Sequence, residues 1–371
     1  MTSHLRTFVF LPTLIVSLTA CGLFKKDNAN DSGDTAAGAV LTFPDYTPNF
    51  NNIAKSADGV DTPQDLDFHP SREGELWVVN KGTEDSGSDV VIIMDATEGA
   101  NDIEVRKDGN AWHFMNLTSA MAFSEDTNNW ATSPEVTDAN HQVGGSFTGP
   151  SLWSSNLDVF AMPSSGNGSH LDMLHQSPNS MGIAHEKNDV YWVFDGYTDE
   201  LVRYNFNDDH GPGGEDHSDA KLKRYSDVPI KRVEGTPSHM VVDKSTDWMY
   251  IADTKKGQVL RVDVTSGTKS GDLQPSYESL AEYSQMEGEK WEVFAEGLSS
   301  PCGIDVDNGT LYVTDNDTGE IIAYDLDTSA ELGRMETGAD GIMGIALGPE
   351  GRLWYVDTAD EELVRVLPDG E

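Results

Sequence analysis

Residues 300–325 read SPCGIDVDNGTLYVTDNDTGEIIAYD, three short apolar runs parted by polar turns that carry Asn308-Gly309 and Thr318-Gly319. The first run has five relatives in the chain. TPQDLDFH from Thr62, LTSAMAFS from Leu117, NSMGIAHE from Asn179, TPSHMVVD from Thr236 and GIMGIALG from Gly341 all align with SPCGIDVD from Ser300. The fifth position is then Leu66, Met121, Ile183, Met240, Ile304 and Ile345, and the seventh is Phe68, Phe123, His185, Val242, Val306 and Leu347.

A second run follows each copy after a polar turn, with an aromatic at one fixed place: Trp77, Trp130, Trp192, Tyr250, Tyr312 and Trp354. Three positions on stands a short polar residue, Asn80, Ser133, Asp195, Asp253, Asp315 or Asp357. Third runs rich in β-branched and aromatic residues are VVIIMD from Val90, LVRYN from Leu201, VLRVD from Val259, IIAYD from Ile321 and LVRV from Leu363. The second copy is worn, and its third strand is expected near Ser151 to Ser155. Fourth strands are fainter, such as KLKRY from Lys221 or KRV from Lys231, and WEVF from Trp291.

A four-stranded antiparallel sheet cannot bury both of its faces alone, so such units stack radially and pack on their neighbours. The reading is all-β: a six-bladed β-propeller of four-stranded antiparallel blades. Gly303 and Gly344 stand 41 positions apart, close to the minimal blade repeat of about 40–45 residues. After the last third strand the given sequence stops, so the missing fourth strand of blade six must come from ahead of blade one, around Asn52 to Lys55. An N-terminal strand would thereby close the ring. The pattern P-x-G-I-x-V-D, a gap, L-Y-V-x-D and an apolar strand resembles the NHL-repeat family of β-propellers, over about Asn52 to the C-terminus.

The domains expected are a lipoprotein signal peptide over 1–20, a lipidated cysteine and tether over 21–45, and the propeller over 46–371. Arg6 precedes an apolar run from Thr7 that is too short to span a bilayer. Leu18-Thr19-Ala20-Cys21 resembles a bacterial lipobox, which implies lipid on Cys21 and anchoring in the cell envelope. Gly22 in place of Asp implies the outer membrane, by resemblance to the sorting rule of enteric bacteria. The formal net charge of −40 repels nucleic acid and attracts cations. Of two cysteines, Cys302 has no partner once Cys21 carries lipid, and it reads as a small buried filler.

Strand order sorts the loops. Those from fourth to first and second to third strands share a first face, and the rest share a second. Asp65 and His239 take the fourth position of their copies, where three others have Gly182, Gly303 and Gly344. With His175 and His141 in first-face loops, three imidazoles and a carboxylate are expected at one channel mouth, a set suited to Zn²⁺. Asp195 or Tyr197, in a neighbouring turn, would act as acid or base. The stretch VFDGYTDELVRYNF from Val193 is similar to a segment of the lyase domain of peptidylglycine amidating enzymes, a resemblance that implies a three-histidine zinc site in a six-bladed propeller. On the second face NDDHGPGGEDHSD, from Asn207, offers His210, Asp216 and His217 either to a divalent ion such as Ca²⁺ or to solvent as an acidic turn.

Two functions remain open: a propeller anchored at the outer membrane that binds a small-molecule or protein ligand, or a metal-dependent lyase or hydrolase at the channel mouth.

Overall fold

The computed structural model describes residue 43 and residues 47–141, 146–162 and 166–368. Signal peptide, Cys21 and, apart from Phe43, the tether lie outside the described residues. Six sheets form, each built on one copy of the repeat. Blade one is Pro63–Phe68, Leu76–Thr83, Gly87–Ile93 and Ile103–Arg106, paired in that order. The worn blade two does have its third strand, at Ser151–Ser154.

Ring closure follows the expectation, with a longer strand. Pro48–Lys55 pairs antiparallel with Glu362–Pro368, from Pro48 opposite Pro368 to Lys55 opposite Glu362. The first strand thus becomes the outermost strand of the last blade.

The fixed aromatic of each second strand lies between blades. Trp77 is fully buried with its ring centroid 5.2 Å from Phe123 and 5.1 Å from Trp130 of blade two. A buried indole N–H must find an acceptor, and in three blades a nearby glutamate supplies it: Glu75 for Trp77 at 2.6 Å, Glu186 for Trp192 at 2.8 Å, Glu350 for Trp354 at 2.9 Å. The polar residue three positions on holds the turn. Asp315 accepts from the N–H groups of Ser299 and Ser300, and Asp357 from that of Ala359. Fourth-position glycines let inner strands approach: a Cβ on Gly182 would lie 2.1 Å from the carbonyl oxygen of Ser238 in the next blade.

Of the two alternatives for the fourth strand of blade three, Lys221–Tyr225 forms it, and Lys231–Val233 makes only a single bridge from Val233 to Thr236. One feature departs from the sequence reading. Blade four carries a hairpin, Thr268–Asp272 and Glu282–Glu287, between its third and fourth strands. Its second arm pairs parallel to Lys221–Tyr225, giving blade three six strands.

A chain beginning at Ser56 leaves Glu362–Pro368 without its partner. Compared with a chain beginning at Ala37, it is expected to self-associate on gel filtration through that open edge and to melt at least about 10 °C lower. A monomer with an unchanged melting temperature would show that closure does not rest on this strand.

Candidate functional site in the central channel

Each inner strand turns one edge toward the channel, where no further strand pairs with it. Carboxylates at alternate positions take up the free N–H groups. Asp65 accepts from Leu66 N and, in the next blade, from Met121 N, both at 2.9 Å. Asp305 does the same between blades five and six, from Val306 N and Leu347 N at 2.7 Å. Asp67 and Asp305 hold the sixth repeat position, where the other four copies have Ala122, Ala184, Val241 and Ala346.

His239 crosses the channel. Its Nε2–H donates to the carbonyl oxygen of Ser119 in blade two at 3.0 Å, and its Nδ1 stands 3.4 Å from Asp65 Oδ1 in blade one. Because a carbonyl only accepts, the proton is on Nε2. Asp65 and His239 thus meet as the sequence suggested, inside the channel.

Toward the second face the channel widens. A cavity of about 610 Å³ is lined by Asp67, Phe68, Phe123, Asp305, Tyr312 and Leu347, with the turns between first and second strands at its rim. A smaller cavity of about 170 Å³ continues inward past Asp67 and Asp305 to Asp65 and His239. Two rim carboxylates are matched by cations: Glu125 by Lys244 at 2.5 Å and Glu350 by Arg365 at 3.1 Å. Asp67 is pushed well above the usual carboxylate range by burial first, then by the charges of Asp305 and Asp65. Burial likewise pushes Asp305 up to about 7, with Asp307 and Asp65 adding to it against the two N–H donors. Sequence reasoning looked to the other face and passed over these two residues. The signal was available, since an acid at an inward position of two copies faces small apolar residues in the remainder.

The other candidates are placed elsewhere. His175 lies where blade two gives way to blade three, buried, with its Nδ1–H 2.5 Å from Glu278 Oε2 and its ring against Phe147. The hairpin loop of blade four delivers Glu278. Among the described residues, His175 Nε2 has no hydrogen-bond partner. His217 stands beside His175, ring centroids 6.1 Å apart, and donates from Nδ1 to Asp172 Oδ1 at 2.6 Å. Burial lowers the His217 imidazole, but the bond to Asp172 and the surrounding acids outweigh it, leaving the pKa raised. His141 stacks on Trp112 at 6.0 Å. His210 pairs with Asp219 at 3.0 Å, and Asp216 accepts from Ser218 N at 3.0 Å. Asp195 is buried and bound to Arg224 and Thr198 at 2.8 Å each, bracing its turn, while Tyr197 is 63% exposed. Cys302 is buried at 3.2 Å from Thr314 Oγ1, and burial pushes its thiol up to about 12. Among the described residues, no three His, Cys, Asp or Glu side chains are grouped to hold a metal ion.

No family model matches the chain, and no curated protein matches its sequence. Solved structures share its fold. An auxiliary nutrient binding protein from Bacteroides ovatus superposes with a TM-score of 0.55 at 11% identity, over 87% of this chain and 77% of that one. A luciferin-regenerating enzyme gives 0.53 at 13% identity, over 87% and 96%. A streptogramin B lyase gives 0.48 at 12%, over 87% and 98%. At such identities the likeness is one of fold.

The raised pKa of Asp305 sets a direction for stability. With about 7 in the folded protein against an ordinary 3.8, the fold holds a proton that the unfolded chain releases. Stability from this group is full below the lower value and lost as pH rises through the upper one. Asp305→Asn cannot titrate, so relative to wild type it should gain on the order of 1–2 kcal/mol in urea unfolding between pH 5 and pH 8. A difference that stays flat with pH would contradict the assignment.

Proposed function

We propose that the propeller is a binding platform whose small-molecule ligand enters the channel from the second face. The carrying observation is the cavity of about 610 Å³, with a polar floor and a partly aromatic wall, a size and lining suited to a small organic ligand. The description of the Bacteroides ovatus structure as a nutrient binding protein is of the same kind. Lipid on Cys21 would hold this platform at the cell envelope, in the outer membrane. The test is a thermal-shift screen of small solutes against the protein and against Leu347→Trp, which fills the cavity. Solutes that raise the melting temperature of the first and not of the second support the reading. Stabilisation that survives the bulky substitution places the site elsewhere.

One observation favours a second reading, a metal-dependent lyase or hydrolase. A histidine that gives Nδ1–H to a carboxylate and keeps Nε2 bare is oriented as metal ligands are, and among the described residues His175 with Glu278 is such a pair. Elemental analysis would favour it if one equivalent of zinc remains with the wild type and leaves in His175→Ala. Metal-free protein that retains turnover would sink it.

A further inference from the structure

The funnel holds three acids that no cation matches. Among the described residues no ion pair reaches Asp67, Asp305 or Asp307, whereas the neighbouring Glu125 and Glu350 each have a cation. Nor can Asp305 swing away, because both of its oxygens hold backbone N–H groups of two blades. The floor therefore holds carboxyl groups fixed in place in a cavity, close to that of Asp65, with no cation of the protein beside them to favour their charged form.

Shape narrows what can match them. A bare ion gathers oxygen ligands within about 2.0–2.6 Å, and these carboxylates do not converge in that way. The space of about 610 Å³ is that of an organic molecule, and Phe68, Phe123, Tyr312 and Leu347 line it beside the acids. Aromatic faces attract cations. An anion beside this floor would add to the mutual repulsion of its acids, whereas a cation relieves it.

We propose that the funnel selects an organic cation, a protonated amine on an apolar body, seating the ammonium between Asp67 and Asp305 and the body against Phe68, Phe123 and Tyr312. This deepens the solute-binding reading and rests on it. Binding is linked to protons. Asp305 shares its surroundings with Asp65, Asp67, Asp307 and Tyr312, and with the Glu125–Lys244 pair, His185 and His239 further in. A seated ammonium favours the carboxylate form, so near neutral pH a proton leaves as the amine arrives.

The experiment titrates benzylamine, benzyl alcohol and benzoate, matched in body and different in charge, into the protein at low salt by calorimetry. Benzylamine is expected to bind at least about tenfold more tightly than the other two. At pH 7 its apparent enthalpy should differ between buffers of unlike ionisation enthalpy, reporting the released proton. The double variant Asp67→Asn, Asp305→Asn should lose the preference. It changes the formal charge of −40 by two, which leaves general attraction of cations nearly intact. Asp307→Asn, at the rim, is a second check should the double variant misfold, and a several-fold loss of benzylamine affinity is expected. If benzyl alcohol or benzoate binds in the funnel as tightly, cation selection is overturned while solute binding stands. If Ca²⁺ displaces benzylamine at one equivalent, the floor is a metal site and the proposal falls. No binding of benzylamine overturns it also, and the solute screen then decides separately whether the funnel binds anything.

Discussion

Antiparallel pairing of Pro48–Lys55 with Glu362–Pro368 is the contact on which the molecule depends. Six sheets in a row would end in two exposed edges and two apolar faces. Joining first strand to last removes both at once, and it lets blade one pack on blade six, where Phe68 meets Trp354 with ring centroids 5.4 Å apart. Closure also creates a problem at the centre. Six inner strands face one another across a channel with no strand left to satisfy their free N–H and C=O groups.

The chain answers with side chains. Asp65 and Asp305 each tie two adjacent blades by accepting one N–H from either, and His239 reaches across to a carbonyl of blade two. Concentrating carboxylates in this way is costly, since burial and mutual repulsion push them toward protonation. Perturbed acids cluster at functional sites, and structural networks such as these blade ties perturb them as well. Asp305 thus does both: it ties two blades together and floors the funnel.

Much of this could be read from the sequence, because a propeller repeats its physics. The fixed aromatics, the turn-holding polar residues and the close-approach glycines recur at one register, and each has the place in the structure that its spacing implied. What escaped is what repetition does not encode. The arm Glu282–Glu287 pairs in parallel with a strand of the preceding blade, a choice made by tertiary packing, and so Glu278 arrives at His175 from 103 residues away. The four residues expected at one mouth divide accordingly: Asp65 and His239 meet in the channel, His175 joins His217 between blades, and His141 stacks on Trp112. Asp67 and Asp305 were visible as exceptions within the alignment. Ranking them needed the burial of the sixth position and the face on which the channel widens, neither of which local pattern reports.

Closure by the first strand also fixes where the chain enters the ring. Pro48 sits opposite Pro368, at the end of the last third strand, and third strands run from the first face to the second. The polypeptide therefore joins the propeller on the side where the funnel opens. Residue 48 and the funnel mouth thus share one end of the ring, and the Asp65–His239 pair lies deeper in the channel, behind the smaller cavity.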